Sequence, residues 1–179
     1  MKRGHRFVVI GTTGSGKTTV AAALAEARGV PHIELDALHW QPDWIEADDD
    51  VFRARVRDAL AAATTGWVVD GNYLEIVEDL IWPAADTIVW LDLPFRVVMA
   101  RLSRRTARRM RTREELWGTD NREQVSTLFT RDSIIVWAVR THRSNRRRFG
   151  SRATDAAYAH LEFARLRTPD DVRRFLDEA

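Results

Sequence analysis

Residues 11–18, Gly11-Thr12-Thr13-Gly14-Ser15-Gly16-Lys17-Thr18, limit what this chain can fold into more than any other segment. The pattern G-x-x-x-x-G-K-[ST] is a phosphate-binding loop: glycines let backbone N–H groups approach phosphate oxygens, and the lysine reaches the β- and γ-phosphates. Such a loop works between a buried strand and a helix N-terminus, whose partial positive charge adds to the anion site. Both neighbours are present. Phe7-Val8-Val9-Ile10 is a short β-branched run ending at Gly11, and Lys17 to Arg28 is alanine-rich, with Val20, Leu24 and Ala27 at helical spacing. Gly11 through Thr18, with Thr19 in the first helical turn, are the expected nucleotide contacts.

The lysine stands out against the composition, because the chain holds 26 arginines and only two lysines, Lys2 in the terminus and Lys17 in the loop. The planar guanidinium fork is bulkier and differently hydrated than a compact ammonium, so an exchange tolerated elsewhere is not tolerated here.

Strand-like runs recur at Phe7–Ile10, Pro31–Leu35, Trp67–Asp70, Thr87–Leu91 and Leu161–Leu166, with helical patterns between them. The alternation predicts a three-layer α/β fold, a five-stranded parallel sheet covered by helices on both faces. A helix is expected over Ala47–Ala63, and Asp48-Asp49-Asp50 reads as its acidic first turn in preference to a metal cluster. After Leu93-Pro94-Phe95 another helix should run to about Arg109, followed by a loop over 110–120 and a second helical stretch. Asp132 or Ser133 caps its later part, Ile134–Arg143, and Gly150–Thr154 punctuates the chain beyond it. Thr168-Pro169 begins the last helix, with Thr168 as cap.

With 179 residues and 45% apolar content, residues 1–179 suffice for one domain and one core. The absence of cysteine excludes disulfides, zinc–thiolate sites and thiol nucleophiles. Too few apolar residues precede Gly11 for a signal peptide, and no apolar run reaches membrane-spanning length. The expectation is a cytoplasmic protein without a membrane partner. Charge is unevenly spread: residues 1–95 carry 8 basic and 15 acidic side chains, whereas residues 96–152 carry 16 and 5. That basic block suits a nucleotide's phosphates, a nucleic acid or simply a solvated helix surface.

Phosphoryl transfer needs a phosphate cradle, magnesium, cations around the transferring group and an acceptor held in line. Lys17 is the expected catalytic cation. Thr18 and Asp70, the latter ending Trp67-Val68-Val69-Asp70, are candidate magnesium ligands, although Asp70-Gly71-Asn72 also reads as a plain turn. Asp36 closes the second strand at the sheet edge where α/β ligands bind. A carboxylate there repels an ionised phosphate acceptor but suits a hydroxyl, which it orients or deprotonates; water-mediated magnesium binding and capping are the other uses of such a residue. Trp40 and Trp44 can stack on a flat acceptor or join the core, and His39 reads as a packing residue or an acceptor contact. Arg101 and Arg105, at i and i+4, share a helix face. Arg131 and Arg140 lie in the later basic stretch, and one arginine closing over the nucleotide would stabilise the transition state.

Taken in order, the loop, Asp70-Gly71, Leu93-Pro94, Arg101-Leu-Ser-Arg-Arg105, the Arg-rich insertion and the final strand and helix resemble the adenylate-kinase-related P-loop kinases. Leu35-Asp36-Ala37-Leu38-His39-Trp40-Gln41-Pro42-Asp43-Trp44, Val69-Asp70-Gly71-Asn72-Tyr73 and Arg131-Asp132-Ser133 followed by Trp137 resemble its topology-modulation (FlaR-type) branch. The resemblance implies ATP and Mg2+ as cofactors, an acceptor-binding insertion around 40–66 and an Arg-rich lid around 106–145. It also implies Arg101 near the adenine and Arg105 on phosphates. Asp36, His39, Trp40, Trp44, Asn72, Tyr73 and Arg140 are the expected acceptor contacts. Adenylate kinases continue Asp-Gly with a Pro-Arg pair that helps hold the nucleoside monophosphate. Asn72-Tyr73 stands here instead, which speaks against adenylate kinase activity itself. The expected activity is therefore ATP- and magnesium-dependent phosphorylation of a small molecule, a hydroxyl acceptor being favoured. The alternatives are a nucleoside monophosphate kinase and an NTP-binding regulator associated with DNA topology.

Overall fold

Strand β1 (Arg6–Gly11) holds the centre of the sheet: Phe7, Val8, Val9 and Ile10 are each no more than 2% exposed. A strand buried on both faces needs a helical layer on each side, and its continuous apolar run supplies both contacts. The computed structural model describes residues 5–112, 115–122 and 133–179. Its sheet adds β2 (His32–Glu34), β3 (Trp67–Asp70), β4 (Thr87–Leu91) and, past a two-stranded hairpin of β5 (Glu115–Leu116) and β6 (Asn121–Arg122), β7 (Glu162–Leu166). The order is β2-β3-β1-β4-β7, with every pair parallel. All five carboxyl ends therefore share one edge.

Alternate residues of β1 enter different cores. Val8 and Ile10 pack with Phe52 and Val56 of α3 (Asp49–Ala62), Val77 and Ile81 of α4 (Leu74–Ile81), and Phe149 of α6 (Ile134–Arg152). Phe7 and Val9 pack with Val20 and Leu24 of α1 (Lys17–Arg28), Val98 of α5 (Phe95–Thr112) and Val172 of α7 (Pro169–Asp177). The layers are thus helix, sheet, helix. Among the described residues no helix is long and apolar enough to cross a membrane.

Several boundaries differ from those expected of the sequence. The second strand stops at Glu34, and Leu35–His39 form a short helix, α2, because Leu35 and His39, four apart, are both buried. Asp36 thus lies in a helical first turn, not at a strand end. The expected helix over 47–63 is α3, with Asp48 at its N-cap and Asp49 and Asp50 in its first turn. Helix α5 continues to Thr112, and the expected loop contains the β5–β6 hairpin around Trp117–Asp120. Ser133 caps α6, accepting from the Ile135 N–H, but the helix passes Gly150 to Arg152. Its last turns are held from outside: Phe149 is in the core, Arg148 pairs with Glu75 at 3.2 Å, and Arg152 donates to buried Glu78 at 2.8 Å. Thr168 and Asp171 form the reciprocal cap that begins α7.

The buried Asp92 carboxylate, one residue past β4, receives Arg146 of α6 at 2.6 Å and Arg165 of β7 at 2.6 Å. The Arg165 guanidinium also lies 4.2 Å from the Trp90 ring centroid. Asp92→Asn keeps the shape but removes the charge that two arginines face. It should lower unfolding free energy by about 2 kcal/mol, below the cost of breaking a fully buried pair because both arginines reach solvent. Urea denaturation read by tryptophan fluorescence checks this.

Candidate active site

The loop between β1 and α1 is shaped by close approach. A Cβ on Gly14 would stand 2.8 Å from Leu102 Cβ, and with φ of +85° the position favours glycine. Arg101 reaches across from α5 and donates to the Ser15 carbonyl at 2.8 Å, so it braces the loop from outside. Thr12 is buried, with its hydroxyl 3.2 Å from Nδ1 of His142 on α6. Helices α5 and α6, both from the basic block, therefore meet the loop. Thr18 and Thr19 are exposed at the start of α1.

Lys17 folds back to donate from Nζ to the Gly11 carbonyl at 3.1 Å. Burial pushes its ammonium below the usual lysine range, against the opposing pull of the Asp36 and Asp70 carboxylates, while Arg105 adds to the depression. The Gly11 peptide has a second partner: Asn72 Nδ2 donates to its carbonyl at 2.7 Å, and its N–H faces Asn72 Oδ1 at 3.4 Å. The Asn72 carboxamide is thereby engaged with the first residue of the phosphate loop.

Carboxylates gather beside Lys17. Asp36 accepts a 2.7 Å hydrogen bond from the Tyr73 hydroxyl, whose own proton is held above the usual phenol range by burial first and then by Asp36. Asp70, 2% exposed, lies 3.4 Å from His32 Nε2 across the β2–β3 pair. Glu34 accepts from the Trp117 indole at 2.9 Å; burial lifts its carboxyl above the usual range, and Asp70 and Asp36 add to the lift.

His39 is buried and packs edge-on or tilted against Trp40, Phe52 and Tyr73, with ring centroids 4.6 to 5.2 Å away. Trp40 meets Trp44 at 5.7 Å, and Trp44 meets Trp117 at 5.9 Å. Asn121 ties the hairpin to the same segment, accepting from the Trp44 N–H at 3.0 Å and donating to the Gln41 carbonyl at 2.8 Å. An open cleft of about 360 Å³ lies at this junction, lined by Asp43, Trp44, Asp120, Asn121 and Arg122. Arg105 is half-buried near Lys17, and Arg140 is exposed on α6. Arg131 lies outside the described residues.

The family model for the AAA domain matches residues 8–125, from β1 through the phosphate loop and into the basic block. The chain belongs to the AAA domain family. No curated protein matches it in sequence. Two solved structures similar to this AAA domain are a sugar kinase from Janibacter sp. HTCC2649 and a gluconokinase from Sinorhizobium meliloti 1021. The first is 20% identical, with a TM-score of 0.52 over 97% of this chain and 93% of that one. The second is 20% identical, with a TM-score of 0.51 over 99% and 97%. The likeness establishes a P-loop kinase-like fold for this AAA domain.

Four polar groups at the site have no counterpart among the residues that the sequence singles out. His32, Glu34 and Trp117 carry no local motif, and only strand register and the hairpin bring them to Asp70 and to each other. His142 sits among arginines, where its neighbours conceal it. Arg55, donating to the Leu38 carbonyl at 2.9 Å, also puts a cation beside the Asp36 helix. Arg146, Arg148 and Arg152, by contrast, are paired with Asp92, Glu75 and Glu78, so this end of the basic block is spent within the domain.

His142 yields a pH prediction. Burial, with Arg146 next, pushes its imidazole below the ordinary value of about 6.5. The unfolded chain then binds this proton more readily than the folded one. Stability is full above that ordinary value and falls as pH drops below it. Urea midpoints at pH 7.5 and 5.5 should differ more in the unaltered chain than in His142→Gln, which lacks the titrating group.

Proposed function

We propose that this AAA domain is an ATP- and magnesium-dependent phosphotransferase that phosphorylates a hydroxyl group of a small molecule. The observation that carries the reading is the gathering of Asp36 and Asp70 around Lys17, at the carboxyl edge where the phosphate loop ends β1. A P-loop alone supports nucleotide binding. A carboxylate beside its lysine, hydrogen-bonded to a phenol, adds a group able to orient an alcohol and take its proton. The two structural neighbours, a sugar kinase and a gluconokinase, agree with this class of chemistry.

The residues fit magnesium. Asp70 is a buried carboxylate one strand away from the loop, and Thr18 presents a hydroxyl at the first turn of α1. Among the described residues no three His, Asp or Glu side chains converge as an all-protein metal cage. Magnesium does not need one, since it is commonly held by one or two carboxylates together with substrate phosphates. When bound, the ion would neutralise phosphate charge. The chain's own groups supply the rest: loop N–H groups orient the phosphates, Lys17 stabilises the transferring group, and Asp36, positioned by Tyr73, holds the acceptor hydroxyl. Arg101 and Arg105 enter from α5 on the nucleotide side, while Trp40, Trp44 and Trp117 wall the acceptor side.

Two substitutions test the assignment. Lys17→Ala should lower ATP turnover at least about a hundredfold with an unchanged circular dichroism spectrum; full turnover would overturn the loop's role. Asp36→Asn should reduce ADP release with an accepting alcohol by about a hundredfold or more, leaving ATP affinity within about twofold. A screen of ATP against polyols, aldonic acids, nucleosides and nucleoside monophosphates, read as ADP release, identifies the acceptor, and turnover only with monophosphates would overturn the hydroxyl reading.

A further inference from the structure

The Asn72 carboxamide stands where the next rung of the sheet would be. Strands β1 and β3 run parallel with Val9 opposite Asp70, and the Gly71 N–H points to the Val9 carbonyl at 3.5 Å. A continued parallel ladder would give the Gly11 N–H the carbonyl of Gly71 and give the Gly11 carbonyl the N–H of Tyr73. Neither forms. At Gly71 the main chain turns away with φ of +144°, passing so close to Leu35 that a Cβ would come within 2.7 Å of its side chain. The Asn72 side chain supplies both missing partners instead, its Oδ1 facing the Gly11 N–H at 3.4 Å and its Nδ2 donating to the Gly11 carbonyl at 2.7 Å.

The same carbonyl accepts Lys17 Nζ at 3.1 Å. One part-buried oxygen thus holds two donors, and only one of them is free to leave. To reach a nucleotide's phosphates the lysine must let go of Gly11. A carbonyl stripped of its partners would oppose that release, because leaving a buried acceptor unsatisfied is costly. With Asn72 in place the oxygen stays bonded after the lysine departs.

We propose that Asn72 is a positioning residue for the phosphate loop: it fixes the first peptide of the loop by imitating a strand and keeps the Gly11 carbonyl satisfied when Lys17 swings to the phosphates. It acts through Gly11 and Lys17 and touches neither nucleotide nor acceptor. The inference rests on the reading that Gly11–Thr18 binds nucleoside triphosphate.

The test measures mant-ATP binding by fluorescence, with ATP and adenosine as competitors, on the full chain and on Asn72→Ala, Asn72→Asp and Lys17→Ala. Asn72→Ala should weaken ATP binding about tenfold to a hundredfold and leave adenosine, which has no phosphates, within about twofold. Asn72→Asp keeps the size and an acceptor for the Gly11 N–H but loses the donor. It should weaken ATP similarly and likewise leave adenosine within about twofold. A merely structural role would weaken ATP and adenosine alike. Equal losses, or unchanged ATP affinity in both Asn72 variants while Lys17→Ala loses it, would overturn the proposal alone. Failure of the unaltered chain to bind ATP would overturn the nucleotide reading, and this inference with it.

Discussion

Burial of β1 on both faces governs this molecule. From Phe7 to Ile10 every side chain of the strand lies in one of two cores and shows nothing to solvent, so its chemistry is confined to where it ends. Because every neighbouring strand is parallel to it, all five end on the same edge. Two of them end in acid, β2 in Glu34 with Asp36 two residues on and β3 in Asp70, and Asp92 directly follows β4. A row of carboxylates along one edge repels itself unless cations are brought to it.

The basic block answers that need and explains the charge asymmetry of the sequence. Helix α6 returns Arg146 to Asp92, where Arg165 of β7 joins it, and the result is a neutralised buried carboxylate that fastens the helix to the sheet. Helix α5 returns Arg101 to the Ser15 carbonyl and Arg105 to the neighbourhood of Lys17. The edge is thereby divided. On the β4 side the acid is consumed in packing, whereas beside Lys17 Asp36, Asp70 and Glu34 face Tyr73, His32 and Trp117, none of which is a fixed cation.

How legible each element is in the sequence depends on how local its cause is. The phosphate loop, α1 from Lys17 to Arg28, β3 and β4 appear where the motif and apolar runs place them, since each is set by residues adjacent in the chain. The Thr168 cap is equally visible because its partner is three residues away. Asn72 is not readable in this sense: its identity stands out, but it lies 61 residues from Gly11, and its engagement depends on Gly71 turning the backbone out of the sheet. The Glu34–Trp117 bond spans 83 residues and has no periodic signature at either end. Helix α6 outruns its expected end because ion pairs to α4 outweigh the helix-weakening glycine at 150, a tertiary effect stronger than a local propensity of about 1 kcal/mol.

The contact between the hairpin and the 41–46 segment is made under different terms from the rest of the fold. Asp43, Trp44, Trp117 and Asp120 all have φ between +56° and +61°, a region that costs a non-glycine residue roughly 1–2 kcal/mol. Such a cost persists only where surrounding contacts over-determine the backbone. Here they are few and specific: the two-sided amide of buried Asn121, the indole bond to Glu34 and the edge-to-face tryptophans. Each is a side-chain contact between two surface segments, with none of the continuous apolar burial that holds β1. The hairpin thus meets this segment through side chains, whereas the sheet is held by backbone pairing and continuous apolar burial. The loop and its lysine are built on a strand buried on both faces, and Glu34, one of the carboxylates beside them, is covered by the hairpin through the Trp117 indole.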